Sequence, residues 1–230
     1  YQLNNINDMS SIFSQCQNLN SVHFSNIYNL TNLHKAFSNC TNLQKISGTA
    51  YNTAKNVDCS YMFQNCYNLI NTLPLHLQIE NASHMYENCY NIEVMAMTSS
   101  YINDASYMYA NCKSITSLGK VISGDLDGRY IGTWNNLSYL FYNCINLKYV
   151  NHSGSTFNFD HATDMTNMFL NCNNLTADSL NQIVNKLPPI NQLNNPFTNT
   201  LSYIGFSDFQ IYNVIFNSKV TNIAKNNGWN

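Results

Sequence analysis

The stretch Asp58-Cys-Ser-Tyr-Met-Phe-Gln-Asn-Cys-Tyr-Asn-Leu69 decides the fold, because its skeleton occurs seven times in the chain. The copies centre on Cys16, Cys40, Cys66, Cys89, Cys112, Cys144 and Cys172, each directly preceded by Asn or Gln. Counted from the cysteine, positions minus seven, minus four, minus three and plus three are apolar in every copy. Position minus eight is always Asp or Asn. Met9, Ile12, Phe13 and Leu19 fill the apolar slots of the first copy, and Leu137, Leu140, Phe141 and Leu147 those of the sixth. Self-similarity at a fixed period marks a repeat architecture.

Apolar residues at i, i+3, i+4 and i+7 predict a short amphipathic helix of about two turns in each unit. The Asx residue at minus eight stands where an N-cap belongs. Asn18, Asn42, Asn68, Asn91, Asn146 and Asn174, two places after the cysteine, suit a left-handed helix end. Short runs such as residues 43–46 and 147–150 then read as extended segments. Steps of 24, 26, 23, 23, 32 and 28 residues separate the cysteines. Units of that size cannot bury an apolar face alone and must stack into a solenoid. The expected fold is thus an α/β solenoid of seven helix-plus-strand units. Helices pack at ~8–10 Å and strands at ~4.8 Å, so the parallel sheet should line a concave side.

The runs 58–69 and 164–175 resemble the BspA-like leucine-rich repeats, and more narrowly the Met-Phe-x-x-Cys variant of mycoplasma and Firmicutes surface proteins and some phage tail proteins. The match covers roughly residues 8–180. The resemblance implies an extracellular adhesion or recognition module without enzymatic activity. It implies display on a bacterial surface or a phage virion, with a protein or glycan on a cell surface as partner.

Composition agrees with a non-catalytic role. Ten basic and twelve acidic residues leave a net charge of −2, and Arg129 is the one arginine. That balance argues against nucleic acid or an anionic membrane as partner. No run of ~18 apolar residues could insert into a bilayer. All eight cysteines read as buried free thiols, since seven share one slot and Cys59 fills an apolar slot of the third unit. With no C-x-x-C pair and scattered histidines, neither a metal site nor a cofactor is expected. Phosphate-loop, nucleophile-elbow and metalloprotease signatures are also missing.

Two surfaces are candidates for ligand binding. Tyr61, His84, Tyr107 and Tyr139 occupy the minus-five slot of four consecutive units. Such a row either stacks against sugars and anchors a protein, or packs ring on ring to stiffen the array. The second surface is an insertion near residues 119–134, where the step reaches 32 residues. Asp127-Gly128 signals a hairpin there, which would project Asp125, Arg129, Tyr130 and Trp134. The strand side offers small polar groups such as Ser21, His23, Lys45 and Ser47.

The period breaks near residue 180. Residues 1–180 form the expected solenoid and 181–230 a C-terminal capping region on the last repeat. In the latter, a helix over 177–187 stops at Pro188-Pro189, and Ser207 with Gln210 forms a capping box. At the other end the first repeat begins at once, so an upstream domain of the same polypeptide is expected to cover it. The alternative to adhesion is a structural part of a larger assembly such as a phage virion.

Overall fold

The computed structural model describes residues 6–25, 29–49, 55–71, 78–93, 101–117, 133–150, 159, 161–189, 193, 203–207 and 210. Six short strands and one helix lie among them: β1 Ser21–Ser25, β2 Lys45–Thr49, β3 Val57–Asp58, β4 Ile79–Asn81, β5 Tyr101–Asp104, β6 Thr133–Asn136 and α1 Ala177–Val184. β1 pairs with β2, and β3 to β6 pair in chain order, all parallel. Bridges from Asp8 to Asn32, Asn32 to Asp58 and Asn136 to Asp164 extend the second ladder. A single ladder therefore passes through the minus-eight residue of all seven units, here called coils one to seven.

The expected helices are not formed. Between minus seven and the cysteine each coil is a run of overlapping β-turns. Amides at minus four, minus two and zero bond back three residues within the coil, as in Met62 N–H to Cys59 O at 3.2 Å. Those at minus seven, minus five, minus three and minus one leave the coil and donate to the next one. Phe63 N–H meets Met85 O at 2.8 Å and Asn65 N–H meets Glu87 O at 2.9 Å. An α-helix would keep all of them internal. The remaining amide, at minus six, binds the Asx side chain two residues earlier in all seven coils, as in Ser60 N–H to Asp58 Oδ1 at 2.9 Å. In coils one to six every amide of the run is satisfied without a helix, as buried backbone requires.

Two residues per coil turn the chain. The minus-five residues have φ between 52° and 58° and the minus-one residues between 59° and 67°. The left-handed Asn is therefore the one before the cysteine, and the Asn two places after it does not adopt that conformation. Asn tolerates the left-handed region better than other L-residues, which explains its use at minus one. Backbone hydrogen bonds tie the turn runs at strand-like spacing, which removes the helix–strand mismatch that would have curved the stack.

Inside, each apolar slot forms a column. From coil two onward the residues at minus seven, minus four, minus three, zero and plus three are all buried. The minus-three rings stack face to face from Phe13 through Phe37, Phe63, Tyr86, Tyr109 and Phe141 to Phe169, with centroids 5.3–6.0 Å apart. Burial of each such side chain contributes ~1.5–3 kcal/mol, and only neighbouring coils can supply it. A further inward slot, at minus ten, holds Ile79, Ile102 and Trp134.

Residues 203–205 lie against coil seven. Asn167 and Phe169 donate to the carbonyls of Tyr203 and Ile204 at 2.7 and 2.8 Å. The Tyr203 hydroxyl accepts from Met165 N–H at 3.3 Å, standing where the next coil's carbonyl would be. Gly205, at φ 89°, lies so close to the Leu170 backbone that a Cβ would collide with it. Thr176 caps α1 through Ser179 N–H, and Ser207 and Gln210 bond reciprocally as a capping box does.

Candidate interaction surfaces

Each outward side chain repeats at the coil spacing, so surface chemistry comes in rows. The minus-five row is built as the sequence predicts: Tyr61 to His84, His84 to Tyr107 and Tyr107 to Tyr139 stack at 4.5, 4.7 and 4.6 Å, within 8° of parallel. Their ring faces cover one another. The ends are also engaged, since Lys35 Nζ sits 5.3 Å above the Tyr61 ring and Asn167 Nδ2 donates to the Tyr139 hydroxyl at 2.9 Å. What the row offers a partner is its edge of hydroxyls and the imidazole, not a ring face.

His84 is held further by Glu87, whose Oε2 lies 2.8 Å from His84 Nδ1 and accepts from Gln64 Nε2 at 2.7 Å. Burial works to raise the Glu87 pKa, but these two hydrogen bonds outweigh it and hold the carboxyl below its ordinary value. Burial, then the neighbouring Tyr139, pushes the Tyr107 phenol up.

The second candidate surface divides. Asp125, Arg129 and Tyr130, with the hairpin itself, lie outside the described residues. Trp134 does not project. It is 1% exposed in β6, paired with Ile102 of β5, because it occupies the inward minus-ten slot. The sequence signal for this inward slot lies two places before the Asx residue, outside the segment from minus eight to plus three that defines the repeat.

A further outward row follows the cysteine. Tyr67 and Tyr90, one place after the cysteine, are exposed and stack at 5.1 Å, and Lys113 Nζ of the next coil lies 4.9 Å over the Tyr90 ring. Ile70, Ile145 and Tyr149 are exposed nearby in the same register region. On the strand side, His23 Nδ1 and Ser47 Oγ approach to 3.0 Å.

Two ladders of polar side chains run beside these rows. At minus one, Asn65, Asn88, Asn111 and Asn143 each donate through Nδ2 to the Asn Oδ1 of the preceding coil at 2.7–2.9 Å. At minus eight the order is Asp8, Asn32, Asp58, Asn81, Asp104, Asn136, Asp164, a strict alternation of charged and neutral. Adjacent rungs in a parallel ladder lie ~4.8 Å apart, so the alternation keeps carboxylates from facing one another. Asn32 Nδ2 donates to Asp8 Oδ2 at 3.2 Å.

Among the described residues no group of His, Cys, Asp or Glu could hold a metal ion, and no helix is long and apolar enough to cross a membrane. One family model, described as "Mycoplasma protein of unknown function, DUF285", matches residues 1–96 and again 76–185. The chain belongs to that family. The two matches overlap within coil four and together run from the first coil to α1, so the coils of the DUF285 stack described above are the family's own segment. Neither a curated protein nor a solved structure matches the chain.

Proposed function

We propose that this DUF285 protein is a non-enzymatic recognition or adhesion module, displayed outside a bacterial cell, that engages a protein or glycan on another surface. The observation that carries the reading is the outward row Tyr67, Tyr90, Lys113, repeated at the coil spacing on an exposed face. Chemistry laid out in rows suits an extended partner rather than a small molecule in a cleft. The mycoplasma family supports a surface-associated protein, and the likeness to BspA-like repeats points the same way. In this reading the segment beyond α1 caps the stack, and an upstream part of the polypeptide anchors it. Neither nucleic acid nor a membrane interior is its partner.

Binding of the purified chain to a glycan array and to host cells tests this. Replacing both Tyr67 and Tyr90 by Ser should weaken binding several-fold, and deleting residues 121–133 reports whether the insertion takes part. Binding that ignores all of these changes would sink the assignment of the face.

A second reading is a structural part of a larger assembly such as a phage virion. Absence of any ligand binding, with the chain enclosed by partner subunits in its native particle, would favour it.

A further inference from the structure

Both outward rows of rings use an ammonium to cover an end. In the minus-five row the coil before Tyr61 supplies Lys35, whose Nζ lies 5.3 Å from the ring centroid. In the plus-one row the coil after Tyr90 supplies Lys113, at 4.9 Å. The negative face of an aromatic ring attracts such a cation. The other end of the plus-one row is built differently, since the coil before Tyr67 supplies Thr41.

Thr41 lies directly against the Tyr67 segment. Asn68 Nδ2, in the residue after the ring, donates to Thr41 O at 3.0 Å, and Asn42 Oδ1 stands 3.5 Å from the same nitrogen. Tyr90 stacks on one face of Tyr67 at 5.1 Å, and among the described residues neither a ring nor an ammonium lies over the face toward coil two. Threonine branches at Cβ and reaches no further than the first ring atom beside it, so the outer part of that face is bare. Residues one to four places after the cysteine carry no charge in coils one to three, so nothing on these segments repels a cation.

We infer that this face of Tyr67 is a seat for an arginine side chain of a partner protein. The inference rests on the recognition reading above and narrows its partner to a protein that presents arginine on its surface. The guanidinium is flat and stacks on aromatic faces, so it fits the place of one missing rung in a row whose rings repeat at 5.1 Å. Its N–H groups find acceptors in the Thr41 hydroxyl and Asn42 Oδ1, which a purely apolar ring would leave unused. Lysine offers the charge without the flat face. A carbohydrate would meet the same acceptors but lacks the charge that Lys35 and Lys113 bring to the equivalent faces.

Proton–carbon spectra of the tyrosine rings, followed while the purified chain is titrated with acetyl-Gly-Arg-Gly-amide, test the seat. The Tyr67 signals should move, and those of Tyr61, already covered by Lys35, should stay. The citrulline peptide, equal in shape but neutral, should bind roughly two- to fivefold more weakly. Thr41→Lys places the chain's own ammonium on the seat, as Lys35 stands on Tyr61, and should weaken the arginine peptide by a similar factor or more without lowering the melting temperature. Equal binding of the two peptides, arginine binding untouched by Thr41→Lys, or Tyr67 signals that never move would each overturn the inference. Arginine binding at Tyr67 by a chain that adheres to no cell or glycan would uphold the seat and refute the adhesion reading. Adhesion by a chain whose Tyr67 ignores the peptide would do the reverse.

Discussion

The Cys66 thiol lies 3.2 Å from the carbonyl oxygen of Phe37 in the preceding coil, and donates to it. That carbonyl also accepts the Cys40 amide at 3.1 Å, so its two lone pairs serve both donors. The same bond recurs in six coils. Cysteine is thus chosen as a donor as well as a small apolar filler, and the thiol must stay protonated to act.

Burial pushes the thiols upward from their ordinary value of 9.0, Cys40 to about 11 and Cys172 to about 12, with Cys66, Cys89, Cys112 and Cys144 raised as well. Between the unfolded and folded values the unfolded chain has lost protons that the fold retains, so stability falls as pH rises. Urea unfolding should give a constant stability below pH about 8 and a steep loss above pH about 9. A flat profile to pH about 11 would contradict the burial of the protonated thiols.

Asn88 combines φ 63° with two rungs of the amide ladder, to Asn65 at 2.7 Å and from Asn111 at 2.8 Å. Asn88→Ala loses both bonds and strains the backbone, a cost of about 2–4 kcal/mol. Asn88→Gly loses the bonds without the strain and should cost less. Equal losses in chemical denaturation would mean that the left-handed conformation does not matter.

The minus-eight alternation predicts a pH-dependent defect. Asn81→Asp keeps the acceptor for Ser83 N–H and Oγ but sets three carboxylates on adjacent rungs with Asp58 and Asp104. Like charges raise the folded carboxyl pKa above its unfolded value, so the penalty is absent well below pH about 4 and grows as pH rises through it. The variant should match the parent in acid, fall below it at neutral pH by about 1 kcal/mol, and recover in high salt. A deficit independent of pH and salt would rule out charge as the reason for the alternation.

Tyr109 stands in the buried ring column where five of the other coils use Phe, and its hydroxyl has no partner among the described residues. A buried unpaired hydroxyl costs about 1–3 kcal/mol. Tyr109→Phe should therefore raise the melting temperature, and a drop on thermal unfolding would show that the hydroxyl is satisfied.

Much of this was legible in the residues. Seven cysteines in one slot mark the stack, its columns and its unpaired thiols, all of them buried as expected except Cys16 of coil one, which is exposed, and the minus-five residues mark the aromatic row. The run of turns carries the pattern of a helix because minus seven, minus four, minus three and zero point inward in both. The clue lay in the Asn before each cysteine, which favours a left-handed turn residue over a helix interior. Minus five hid the same geometry, because the Tyr that fills it in three coils is a poor left-handed residue, and ring stacking compensates it. Trp134 was misplaced because a strand's inward face cannot be told from a loop when the Asx at minus eight is taken as a helix cap.

The donation of the turn-run amides to the following coil is the claim on which the fold and its ladders depend, and scalar couplings across hydrogen bonds read it directly. The Tyr86 amide nitrogen should couple to the carbonyl carbon of Met108 in the following coil, where N and O are 2.9 Å apart. Coupling of that amide instead to Ala82, four residues back, would establish the α-helix and contradict the account.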